Sequence, residues 1–132
     1  MDKELVVEWL RFADDDIDTV LLLKEMRPQH FEIICYHCEQ AVEKYLKGFL
    51  VSKDQMPPKI HDLPNLCHLC SEYDKRFLDL LPHCNYLTLF GVQSRYPKEL
   101  NINTISVEQA IKYALEVKNF AVFVGLKAAL EK

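Results

Sequence analysis

Glycine is scarce in this chain, with three in 132 residues. So few glycines cannot supply the many tight turns of a β-sandwich or barrel. Proline stands only at positions 28, 57, 58, 64, 82 and 97, which leaves long uninterrupted segments that favour helices. No apolar run reaches the length of a membrane-spanning helix. The opening MDKELVVEWLRFADDD is acidic and carries no apolar core of a secretory signal. Positive charge is short as well: 16 Lys and Arg face 20 Asp and Glu, a net charge of −4. That balance excludes the broad electrostatic footprint of a duplex-DNA binder, so any contact with a nucleotide or RNA has to be a local basic pocket. The deficit is concentrated in residues 1–26, where eight acids stand against three bases. Five cysteines, an odd number at sites that read as buried, speak for a reducing cytoplasm rather than a disulfide framework.

What is present is helical periodicity. Hydrophobic residues make up 49% of the chain, enough to give residues 1–132 one domain with its own core. Residues 3–26 read as a first helix, with Leu5, Trp9, Ala13, Asp16, Val20 and Leu23 on one face and Arg27-Pro28 ending it. Residues 29–53 read as a second, with Phe31, Ile34, Cys38, Ala41, Tyr45 and Phe49 inward. A loop with two prolines follows, then a short helix opened by His61-Asp62-Leu63. Another helix covers 75–93, bent or restarted at Pro82. The last begins at a capping box, Ser106-Val107-Glu108-Gln109, and runs to about residue 130. Its small residues, from Ala110 through Ala128, allow close packing. Tyr113, Phe120 and Phe123 project from its opposite side, so the helix needs two partners and self-association is expected. The expected architecture is all-α: an up-and-down four-helix bundle with one additional short helix.

Four constellations carry possible chemistry. The pairs Cys35-x-x-Cys38 and Cys67-x-x-Cys70, with His37, His61 and His68 nearby, have the outline of a four-thiolate metal site. Neither pair encloses the glycine or proline of a zinc-binding turn, and both lie within helical periodicity. They read as core packing, and neither a metal nor another cofactor is expected. Asp16 lies on the apolar face of the first helix, where a carboxylate needs a partner. Lys44 and His37, at the border of the second helix, are the candidates, and the group is either a structural pair or part of a site. Along that helix His37, Gln40, Lys44 and Lys47 form a polar strip able to hold a phosphate or a base, or else merely a solvated face. Arg95-Tyr96-Pro97 closes the fourth helix, with Arg95 either capping carbonyls or gripping a phosphate.

Order and spacing add a resemblance. Trp9-Leu10 followed by Ala13-x-x-Asp16-Ile17, the block Tyr36–Leu50 (YHCEQAVEKYLKGFL), the proline loop leading to His61-Asp62-Leu63, and Arg95-Tyr96-Pro97 before a final alanine-patterned helix resemble the HEPN family over about residues 5–128. The resemblance implies a helical bundle that dimerises side by side and associates with nucleotides or RNA, often beside a small nucleotidyltransferase partner. On this reading Asp16, His37, Gln40, Lys44, Lys47, Arg95 and Tyr96 are the nucleotide-binding candidates. Some members of the family are metal-independent ribonuclease toxins of toxin–antitoxin or defence systems. These use an arginine, four to six intervening residues and a histidine. Residues 96–105, after Arg95, contain no histidine. Arg76 and His83 have the required spacing, though Pro82 directly precedes His83 and the pair lies well upstream of the last helix. A nucleotide- or RNA-associated binding module is therefore the leading expectation, with ribonuclease action through Arg76 and His83 as the alternative.

Overall fold

The computed structural model describes residues 1–93 and 101–126, and among these every regular element is helical. Helix α1 spans Lys3–Met26, α2 Phe31–Ser52, the short α3 Leu63–Ser71, α4 Leu81–Gln93 and α5 Thr104–Phe120. A 3₁₀ helix, Lys75–Leu80, leads into α4, and a π-helical segment, Ala121–Leu126, follows α5. This is the expected all-α bundle with one short helix.

Local chemistry sets the helix ends. Asp2, Asp62 and Asp74 accept from the backbone N–H of Leu5, Asn65 and Arg76, capping α1, α3 and the 3₁₀ helix in turn. Pro82 falls in the first turn of α4, where its missing N–H costs no helical hydrogen bond, so the chain restarts there instead of bending. The start of α5 differs from the sequence expectation. Asn103, not Ser106, is the N-cap: its Oδ1 accepts from the Ser106 N–H at 3.0 Å, while Ser106 Oγ accepts from the Asn103 N–H at 3.3 Å. Asn103 already holds the extended backbone that a cap requires, which places Ser106 at the third helical position.

Helix α2 is the central element. Fifteen of its 22 residues are buried, including Ile34, Cys38, Ala41, Tyr45 and Phe49. Val6, Ala13, Ile17 and Val20 of α1 join this core, as do Leu63, Leu66 and Cys70 of α3, Leu87 of α4, and Ala110, Ala114 and Val117 of α5. Helices α1 and α2 run antiparallel, since Asp14 meets Tyr45 and Asp16 meets both His37 and Lys44. Helices α4 and α5 do the same through His83–Glu116 and Tyr86–Tyr113.

The aromatic side of α5 is largely used inside the chain, contrary to the expectation that it waits for a second copy. Phe120 meets Phe77 edge-on at 4.9 Å, and Phe77 packs on Phe49 at 4.4 Å. Tyr113 lies against His83 and Tyr86. The 3₁₀ helix supplies the unanticipated partner, because its Phe77 reaches between α2 and α5. Phe123 is 63% exposed.

Candidate functional site

Three polar side chains meet on the seam between α1 and α2. The helical spacing that buries Ala13, Ile17 and Val20 carries Asp16 to the same interface, where the residue is only 7% exposed. His37 and Lys44, two turns apart on α2, approach it from either side. His37 Nδ1 lies 2.8 Å from Asp16 Oδ1, and Lys44 Nζ lies 2.6 Å from Oδ2. Burial is the largest single influence on Asp16 and pushes its pKa up. The hydrogen bonds and charges of His37 and Lys44 together outweigh it, so the carboxyl titrates below its ordinary range. An ionised carboxylate only accepts, so His37 Nδ1 carries the proton and donates it. Nε2 is bonded by none of the described residues, and Lys44 retains two N–H groups beyond the one given to Asp16. Both side chains are about a quarter open to solvent, at 28% and 26%. The seam therefore presents a cationic edge locked from behind by a buried carboxylate.

The rest of the anticipated strip goes elsewhere. Gln40 Nε2 donates to Glu39 Oε2 at 2.7 Å. Lys47, expected on a solvated face, is buried and donates to Glu43 Oε2 at 3.2 Å. The reason is the central place of α2: on a helix enclosed by its neighbours, a polar arc falls inside and must be paired there. Arg95 and Tyr96 lie outside the described residues.

Around Lys47 stands a second cluster that reading by helix faces missed. Glu39 is fully buried, and its Oε1 has no hydrogen-bond partner among the described residues. Glu43, one turn on, is contacted by Lys47 and by His61 Nδ1 at 3.0 Å. Burial first and the neighbouring Glu43 charge second push the Glu39 pKa up to about 8. Its carboxyl lies against the α4 backbone at Gly91, where a β-carbon would come within 2.6 Å of it. The available signal was the four-residue spacing of Glu39 and Glu43 within an otherwise apolar arc.

Arg76 and His83 border one stripe of α5 without presenting open chemistry. The Arg76 guanidinium is held by Asp74 (Nη2 at 2.7 Å, Nε at 3.0 Å) and lies over the Phe120 ring. His83 Nε2 meets Glu116 Oε2 at 2.5 Å, and its buried Nδ1 has no partner among the described residues. All five cysteines are buried and unbridged. Cys67 Sγ donates to the Phe77 carbonyl at 3.0 Å, and burial pushes the Cys35 pKa up to about 12. No three His, Cys, Asp or Glu side chains among the described residues are grouped to hold a metal ion.

A HEPN-domain profile matches residues 6–129. The chain belongs to the HEPN family. Its fold is similar to that of TT1696 from Thermus thermophilus, with a TM-score of 0.78 and 20% identity over 88% of this chain and 94% of that one. It is also similar to ST0689, an archaeal HEPN homologue, with a TM-score of 0.69 and 21% identity over 88% and 93% of the two chains. At these identities the likeness speaks for the fold. A search of curated proteins finds no significant match. None of the described helices of this HEPN chain is long and apolar enough to cross a membrane.

Proposed function

We propose that this HEPN chain is a nucleotide-binding module whose phosphate site is the solvent edge of Asp16–His37–Lys44. One observation carries the reading. A buried carboxylate orients an imidazole and an ammonium side by side at 2.8 and 2.6 Å, and both keep unused nitrogen positions toward solvent. Fixing the two donors in advance lowers the entropy lost on binding, and charge-assisted hydrogen bonds to phosphate are the strong kind. A free nucleotide and an RNA chain share this phosphate chemistry. Arg95 belongs to the same proposal as a second phosphate grip. A homodimer and a small nucleotidyltransferase partner complete it, on the strength of the family.

The test is calorimetric titration of ATP and of a short single-stranded RNA into the wild-type protein, Lys44→Ala, His37→Ala and Arg95→Ala. Loss of one charged hydrogen bond predicts roughly ten- to a hundredfold weaker binding. Equal affinity in all four proteins removes these residues from any site. Preference for ATP or for the RNA tells which ligand the edge serves.

The second reading, a metal-independent ribonuclease using Arg76 and His83, draws on their shared border along Tyr113, Glu116 and Phe120 of α5. It requires both side chains to leave their carboxylate partners. Cleavage of total RNA in the presence of a chelator, abolished by His83→Ala, is its signature. Absence of cleavage removes it.

A further inference from the structure

One flank of α1 carries more than Asp16. Trp9 and Phe12 precede it by seven and four residues, so all three lie along one line of the helix. Leu5, Glu8, Trp9 and Phe12 line a groove of about 160 Å³. Phe12 is 44% exposed, and the Arg11 guanidinium lies over its ring at 5.2 Å. The groove is smaller than the roughly 300 Å³ at which pockets for whole drug-sized ligands begin, which suits a single flat ring system. One helical turn, about 6 Å, separates Phe12 from Asp16 along the axis.

We infer that this groove receives the nucleobase of a nucleotide whose phosphates lie at His37 and Lys44. The inference rests on the phosphate site proposed above and adds the half of the ligand that site leaves unread. The charges set the direction. Glu8 at the groove repels phosphate but accepts from the N–H groups of a base edge, whereas Lys44 and His37 attract phosphate. An aromatic side chain gives a base a face to stack on, and every base has such a face. The ligand class is accordingly a purine or pyrimidine nucleotide, free or at the end of a single strand, in preference to a bare polyphosphate.

Trp9 is the single tryptophan of the chain, so its fluorescence reports on the groove alone. ATP and inorganic tripolyphosphate are titrated into the full chain by calorimetry and by fluorescence. ATP is expected to bind about tenfold tighter than tripolyphosphate, the scale of one stacked base, and to quench Trp9. Phe12→Ala, at an exposed position, should bring ATP down to the tripolyphosphate level. Trp9→Phe, which keeps a ring, should retain the preference, and Lys44→Ala should weaken both ligands. Equal affinity for the two ligands, or ATP binding without quenching, overturns the base site while leaving the phosphate site standing. Absence of Lys44-dependent binding by either ligand overturns the phosphate site and the base site with it.

Discussion

Exchange of Glu39 for glutamine offers the sharpest test of the buried polar cluster. In the folded chain this carboxyl is fully buried beside Glu43 and holds its proton up to about pH 8, against an ordinary value of 4.5. Below 4.5 the folded and unfolded chains both carry the proton, and the group's contribution is fully present. Between 4.5 and about 8 only the unfolded chain releases it, so stability falls as the pH rises, by about 1.4 kcal/mol per pH unit. At pH 7 the accumulated cost is about 3 kcal/mol, an upper bound because Glu43 shares the charge and the denatured chain is compact. Above about pH 8 the loss levels off. Glutamine imitates the protonated carboxyl: its amide oxygen accepts from Gln40, and its NH₂ faces Glu43 without ionising. Glu39→Gln should therefore match the wild type near pH 5 and exceed it by about 2–3 kcal/mol near pH 8. Urea unfolding at half-unit steps from pH 5 to 8.5, followed by circular dichroism, measures the difference. Parallel curves for the two proteins would refute a protonated, buried Glu39.

Three further outcomes follow from the packing. Gly91→Ala should destabilise the fold by about 1–3 kcal/mol, because its new methyl meets the Glu39 carboxyl at 2.6 Å; combining it with Glu39→Ala should recover part of that loss in a double-mutant cycle. Asp16 has a lowered pKa, so the stability it contributes is present above the ordinary carboxylate range and lost as the pH falls through its folded value; Asp16→Asn should flatten acid unfolding monitored below pH 4. Phe77→Ala should cost about 3–5 kcal/mol in thermal or urea unfolding, since the ring is fully buried between Phe49 and Phe120.

Much of the candidate site was legible from helix faces. Asp16 stood out as a carboxylate among apolar neighbours, and His37 and Lys44 as the groups on the next helix able to meet it; the structure pairs all three. Lys47 and Gln40 were misplaced because a helical wheel gives angles around one helix and says nothing of how many neighbours enclose it. Tyr113 and Phe120 were assigned to a second copy for the same reason: the 3₁₀ helix that brings Phe77 to Phe120, and the α4 face that brings His83 to Tyr113, are long-range partners that a local pattern does not reveal.

The amino-acid sequence by itself determined the helices, their approximate ends and the inward face of each, because three-and-four spacing, proline placement and capping side chains act within a few residues. It also carried the family, through the order of short motifs along the chain. Only the tertiary structure decided which polar groups are buried, that Glu39 keeps its proton beside Gly91, and that a groove at Trp9 and Phe12 adjoins the Asp16 seam. Burial and electrostatics depend on everything within several ångströms of a group, and most of those neighbours are distant along the chain.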